Sequence, residues 1–162
     1  MGSGIAAQVA NAGIPVTLLD LPSKESSRNQ ITENAKKKIL KSRPPLLFEK
    51  NKIDLITAGN IEDDFDSVKD ADWVVEAVVE RIDIKHNIYE KIEKVRKEDS
   101  IISSNTSTIP LKVLSANMSE DMKKDFCITH FFNPVRYMGL LEIVTESINN
   151  KEKINLLKSF CD

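Results

Sequence analysis

A mostly parallel α/β sheet with helices on both faces is the fold this sequence predicts, and three observations carry the prediction. Short apolar runs of strand length alternate with segments of helical spacing along nearly the whole chain. The connections between them are short. Each apolar run ends in polar residues, which would gather at the carboxyl edge of such a sheet, where open α/β folds bind ligands.

The elements follow in order. MGSGIAAQVANAG reads as a helix with Gly4 and Ala7 on one face, running into Gly13. Val16, Thr17, Leu18 and Leu19 make a short strand that ends on Asp20. The stretch LPSKESSRNQITENAKKKILK then switches to helical spacing, with Ile31, Ala35, Ile39 and Leu40 on one face and lysines opposite. Pro44 and Pro45 break it. LLFEKNKIDLITAGNIEDDF is mixed: a short helical pattern, then Gly59-Asn60 as turn chemistry. WVVEAVV is a valine-rich run of strand length, and a helix follows on Ile84, Ile88, Ile92 and Val95. Ile101 and Ile102 form a buried strand that ends in SSNTS. IPLKVLSANM gives another helical turn, FCITHFFNP and GLLEIVTES two further strands, and KEKINLLKSFCD a closing helix. No internal repeat or low-complexity linker interrupts this order.

Composition narrows the function. The 162 residues, 30% charged and 41% hydrophobic, suit one globular domain with a core of its own. A net charge of -2 with the signs interspersed leaves no basic footprint for nucleic acid. No run approaches the ~18 apolar residues that span a bilayer, so no membrane partner is expected, and no leader pattern opens the chain. Cys127 and Cys161 form no CxxC pair, so reduced thiols, a cytoplasmic location and no metal site are expected.

Several constellations carry chemistry. The opening MG reads as the second half of a G-x-G-x-x-G turn whose last glycine is Gly2; the first two glycines and the strand before them are absent. Asp20, at the end of the next strand, stands where a dinucleotide-binding unit places the acid for the adenosine ribose. A carboxylate there accepts both ribose hydroxyls and repels a 2′-phosphate, favouring NAD over NADP. In VEAVVER, Glu76 and Glu80 are acids at the edge of a buried strand. Glu80 falls at the strand's end, where a nicotinamide ribose would pass, and Lys85 follows one helical turn later. In SSNTSTIP, Ser107 or Thr108 is placed to cap the helix ahead of Pro110, a role compatible with ligand contact.

The richest stretch is THFFNPVRYMGLLEIV. A strand-end histidine by itself is more often structural than functional. Here, however, His130 precedes Asn133-Pro134, and Glu142 sits in the next strand. Two adjoining strands would bring Glu142 to the imidazole, fix its tautomer and leave the other nitrogen as a base near neutral pH. Alcohol oxidation needs that equipment. His86, in a charged helix, reads as a surface residue.

Four blocks, MGSGIA with Asp20, VVEAVVE through Lys85, SSNTS and HFFNPVRYMGLLEIV, resemble the NAD-binding domain of the 3-hydroxyacyl-CoA dehydrogenases. The resemblance implies a Rossmann-type, doubly wound, mostly parallel sheet, here lacking its first strand and without the family's helical C-terminal domain. Residues 1–162 are then expected to be a partial, N-terminally truncated NAD-binding domain, inactive alone. The implied reaction is NAD-dependent oxidation of 3-hydroxyacyl-CoA to 3-oxoacyl-CoA in fatty-acid β-oxidation. His130 would be the general base and Glu142 its orienting partner. Ser107 and Asn133 would hold the substrate and the nicotinamide end of the cofactor. Gly2 and Asp20 would serve the cofactor's adenosine side, and Glu80 and Lys85 would also contact it. The lysines at 36, 37, 38 and 41 fall where the family approaches the coenzyme A phosphates. The intact enzyme would be a homodimer through the helical domain. RPPLLFEKNK and AGNIEDDF resemble the long bacterial form fused to an enoyl-CoA hydratase. Two alternatives stand beside this one: a non-catalytic NAD-binding protein of the same fold, as in lens crystallins, and a dehydrogenase of a short 3-hydroxy acid without coenzyme A.

Overall fold

The computed structural model describes residues 1–25 and 27–162. The chain divides into two compact units, Met1–Ser67 with Asn133–Gly139, and Val68–Phe132 with Leu140–Asp162. The strands, expected in one sheet, fall into two.

The first unit holds α1 (Gly2–Asn11), β1 (Val16–Asp20), α2 (Gln30–Lys41) and β2 (Ile56–Asn60), with β1 and β2 parallel. Ala6, Ala7 and Ala10 of α1 pack with Ile39, Leu47 and Ile56, and such small side chains let the helix approach closely. The chain leaves α1 through Gly13 at φ 84°, a left-handed turn that suits glycine. Helix α2 buries Thr32 and Ile39 and leaves Ile31 and Leu40 exposed, so the apolar stripe read from sequence is only partly the buried one. Thr32 takes its place because its hydroxyl donates to the Gly59 and Asn29 carbonyls, at 3.0 and 2.9 Å. Ser26, in the stretch read as leading into this helix, lies outside the described residues.

Gly59-Asn60 is not a turn but the end of β2, paired with Leu19 and Asp20. The glycine is required by close approach: a Cβ there would stand 2.9 Å from both Leu19 Cδ2 and Asp64 Oδ2. The turn comes after it. Asn60 Oδ1 accepts from the amides of Glu62 and Asp63 at 3.0 and 2.9 Å, and Asp64 Oδ2 accepts from the Asn60 amide at 2.9 Å. Residues 133–139 join this unit through Arg136, which donates to the Pro45 and Leu47 carbonyls at 2.6 and 2.8 Å and lies 4.4 Å over the Phe48 ring.

The second unit is a four-stranded sheet in the order β3 (Trp73–Glu76), β4 (Ile101–Ser104), β5 (Phe126–Phe131), β6 (Leu141–Val144). The first two pairings are parallel and the last antiparallel. Neighbouring residues of β5 point to opposite faces. Phe126 meets Tyr89 of α3 (Ile82–Val95) at 5.1 Å between ring centroids, while Cys127 packs with Ile154 and Leu157 of α6 (Lys151–Cys161). This sheet is therefore covered on both faces, as expected. Two short helices, α4 (Leu111–Leu114) and α5 (Glu120–Asp125), lie between β4 and β5; α5 was not foreseen. Both thiols are free, and burial pushes them up, Cys127 to about 12 and Cys161 to about 11, so neither is a nucleophile at neutral pH.

Gly59→Ala is expected to destabilise the protein by about 1–3 kcal/mol, the usual range for overpacking, because both neighbours would have to shift. Chemical denaturation with unchanged m-value is the measurement. Wild-type stability would show that Leu19 and Asp64 can give way.

Candidate active site

Strand β3 delivers the first group of polar residues. WVVEAVV was expected to run as strand to Glu80, but β3 stops at Glu76. The cause is local. The Glu76 carbonyl still makes the last ladder bond, accepting from the Asn105 amide at 2.7 Å, while the Glu76 carboxylate accepts from the Val78 amide at 2.7 Å and so turns the chain out of the sheet. Glu76 Oε1 and Oε2 also accept from Lys85 Nζ at 2.9 and 3.1 Å. Tyr89 Oη and Ser104 Oγ donate to Oε2 at 2.5 and 2.7 Å. Burial, then the adjacent Glu76 charge, push the Tyr89 phenol up, so it stays a donor.

Lys85 was expected to touch a cofactor directly. Its side chain is 0% exposed, and Nζ has its third carboxylate contact with Glu80 Oε2 at 3.2 Å. An ammonium carries three donors, and here carboxylate oxygens take them all. Lys85 thus holds Glu80, with its donors engaged inside the chain. Glu80 itself is 37% exposed on the loop after β3 and accepts from Thr106 Oγ1 and, at 3.2 Å, from Thr108 Oγ1. Partial burial works to raise its pKa, but the bonds from Thr106 and Lys85 outweigh it and hold the carboxyl below its ordinary value.

In SSNTSTIP the turn is made by Thr106, not by Ser107 or Thr108: its hydroxyl faces the amides of Thr108 and Ile109 at 3.4 and 3.3 Å. Ser107 is left exposed, as is Asn133 in the other unit. Asn105 Oδ1 accepts from the Phe131 amide at 3.0 Å and ties this loop to the end of β5. His86 is half-buried, with Nε2 2.9 Å from the Val113 carbonyl and Nδ1 3.2 Å from Asn117 Nδ2, so it serves packing rather than lying free at the surface.

The hairpin β5–β6 delivers the second group. His130 and Glu142 stand directly opposite each other in the antiparallel register. His130 Nδ1 lies 2.7 Å from Glu142 Oε2. Facing a carboxylate, Nδ1 carries the proton and donates it, which leaves Nε2 with its lone pair. The Phe132 ring packs 4.5 Å from the imidazole and limits its rotation. The His130 side chain is 20% exposed and that of Glu142 54%, so the pair is held yet reachable.

The 3-hydroxyacyl-CoA dehydrogenase NAD binding domain family matches residues 1–162. The chain belongs to this family. It is 47% identical over 161 residues to a protein of Rickettsia felis named as the trifunctional enzyme of a fatty acid oxidation complex, covering 99% of this chain and 22% of that one. A Deinococcus radiodurans protein named as a 3-hydroxyacyl-CoA dehydrogenase is 44% identical over 164 residues, covering 100% and 47%. The chain thus spans between about a fifth and a half of the length of these relatives. Among solved structures, the 3-hydroxybutyryl-CoA dehydrogenase of Escherichia coli superposes with a TM-score of 0.82 at 25% identity, over 99% of this chain and 34% of that one. The 3-hydroxyacyl-CoA dehydrogenase of Archaeoglobus fulgidus does so with 0.79 at 25%, over 99% and 49%.

A domain of this family binds NAD, and the residues of the first unit suit that cofactor. In α1 the Gly4 and Ile5 amides close on the Met1 carbonyl, leaving those of Gly2 and Ser3 without intrahelical partners for an anion. Asp20 is exposed at the end of β1, with Oδ1 2.7 Å from the Leu21 amide and its other oxygen turned to no protein donor among the described residues. Of the four lysines of α2 singled out from sequence, Lys37, Lys38 and Lys41 are exposed, while Lys36 bonds the Ile56 carbonyl. Glu76, Tyr89, Ser104 and Thr106 were not assigned to the site from sequence. Lys85 and Tyr89 stand four apart and so share a helix face, but no sequence pattern sets that face beside Glu76.

Because the Glu80 carboxyl is held below its ordinary value, it contributes stability above the unfolded Glu pKa of about 4.3 and loses it as pH falls through the folded value. The stability difference between wild type and Glu80→Gln is therefore expected to shrink below about pH 4, as measured by urea denaturation across pH. A difference independent of pH in that range would contradict this.

Proposed function

We propose that the protein is the NAD-binding part of an enzyme that oxidises 3-hydroxyacyl-CoA to 3-oxoacyl-CoA, as in fatty-acid β-oxidation. The observation that carries the proposal is the His130–Glu142 pair at 2.7 Å, with one imidazole nitrogen anchored and the other free. NAD, when bound, supplies the hydride acceptor. His130 Nε2 takes the proton of the 3-hydroxyl as the carbonyl forms, so oxygen loses a proton and carbon a hydride. Glu142 stabilises the resulting imidazolium and keeps the ring in its tautomer, as a carboxylate does in hydrolytic triads. Ser107 and Asn133, both exposed, are the proposed groups for the substrate and the nicotinamide end. Gly2 and Asp20 are proposed for the phosphate and adenosine ribose, and Glu80 for the nicotinamide ribose. Acyl-CoA as substrate is supported by relatives that carry fatty acid oxidation in their names. Among the described residues no helix is long and apolar enough to cross a membrane. A cytoplasmic homodimer, with residues 1–162 as its partial NAD-binding domain, completes the proposal.

In an enzyme containing this domain, His130→Gln is expected to lower kcat by about 10²–10⁴-fold with NAD affinity nearly intact, since general-base assistance acts on the transition state. Glu142→Gln lowers kcat as well. The double variant is expected to be much less impaired than the product of the two, because the pair acts as one unit. Steady-state kinetics on folded protein checks this; near-normal kcat in His130→Gln would make the histidine structural.

Asp20→Ala is expected to weaken NAD and narrow its advantage over NADP, because the carboxylate both accepts ribose hydroxyls and repels the extra phosphate. Parallel titrations with the two cofactors give the ratio. An unchanged ratio would make Asp20 an ordinary loop acid.

A further inference from the structure

We infer that Glu76 is a positioning residue for the cofactor: through Lys85 it sets where the Glu80 carboxylate stands. The inference rests on the reading of Glu80 as a cofactor contact given above. Glu76 itself cannot meet a ligand, since its side chain is 1% exposed. Its two oxygens accept from four donors: the Val78 amide, Lys85, Tyr89 and Ser104. Those donors come from three different places, the loop after β3, helix α3 and strand β4, so the carboxylate is fixed from several directions at once.

Lys85 transmits this placement. Two of its three donors are committed to Glu76, which decides the direction of the third, and that one meets Glu80 Oε2 at 3.2 Å. The other oxygen of Glu80 is held by Thr106 and Thr108 from the loop after β4. Without the lysine, an acid on an irregular loop would have only the threonines to place it. A stability role alone is a weak reason for the arrangement, because a buried ion pair is often no better for folding than apolar residues of the same volume. Here the pair leaves one carboxylate, Glu80, charged and at the surface in one defined position.

The test is a double-mutant cycle on NADH affinity in an intact enzyme containing this domain, followed by fluorescence titration with kcat measured alongside. Glu76→Gln exchanges an acceptor for a donor facing Lys85 and is expected to raise the Kd for NADH about threefold to tenfold, the scale of one or two hydrogen bonds, with kcat at saturating cofactor little changed. In a Glu80→Gln background the same change is expected to add nothing. Tyr89→Phe, which removes one donor to Glu76 and leaves the charges alone, keeps the test open if Glu76→Gln does not fold. Its smaller rise in Kd is likewise expected to vanish in the Glu80→Gln background. Equal effects in both backgrounds overturn the inference, as does a lowered melting temperature with unchanged Kd. If the intact enzyme containing this domain does not bind NADH at all, the functional reading falls and this inference with it; if it binds NADH but the cycle shows equal effects, the inference alone falls.

Discussion

Burying the Glu76 carboxylate is the constraint on which the second unit's functional end depends. A charge removed from water costs several kcal/mol unless it is paired and hydrogen-bonded. The protein meets that requirement with Lys85, Tyr89, Ser104 and the Val78 amide, and each partner fixes something else. The amide ends β3 and starts the loop that carries Glu80. Tyr89 places its ring against Phe126 and so seats α3 on the sheet. Ser104 is the last residue of β4 and fixes the start of the SSNTS loop. One buried acid thereby sets a strand end, a helix and two loops.

The second polar centre is built on a different principle. His130 and Glu142 are brought together by strand register, not by burial. The antiparallel pairing of β5 and β6 sets them directly opposite, and a slip of one residue would turn Glu142 to the other face. The same face alternation sends Thr129 inward, where its hydroxyl donates to Ser103 Oγ at 2.7 Å, and Trp73 Nε1 donates to that oxygen at 2.9 Å. Hydroxyls buried under the sheet are satisfied by one another, so the strands beneath the histidine have little reason to shift. Such a sheet holds the proposed base, His130, in a fixed geometry.

The placement of several candidate residues was legible without coordinates. His130 and Glu142 could be paired from sequence because a hairpin is a local structure: a polar residue in each of two short adjoining strands is a strong hint. The place of Asp20 at the end of β1 was legible because it follows from strand length. Periodicity read the helices less well. In α3 the isoleucine stripe looked like the buried face, but Lys85, Tyr89 and Ile92 are the residues buried. A lysine and a tyrosine count as polar in any such pattern, and nothing nearby in sequence shows that a carboxylate nine residues earlier will neutralise the lysine. Gly59-Asn60 misled for a related reason: glycine marks a turn and a close approach alike, and Leu19 and Asp64 decide between them only in space.

The sequence by itself determined the alternation of strands and helices, the family and the pairing of His130 with Glu142, because these depend on residues close together in the chain or on whole blocks. Tertiary structure alone decided that β3 ends at Glu76, that Thr106 makes the turn, and that Lys85 is an internal counter-ion with no free donor. Each of those depends on contacts between separate elements, from β3 to α3 or from the loop after β3 to the loop after β4. Whether a charged side chain is solvated or sealed is a property of its neighbours in space, and there the desolvation of one carboxylate selects among arrangements that look alike along the chain.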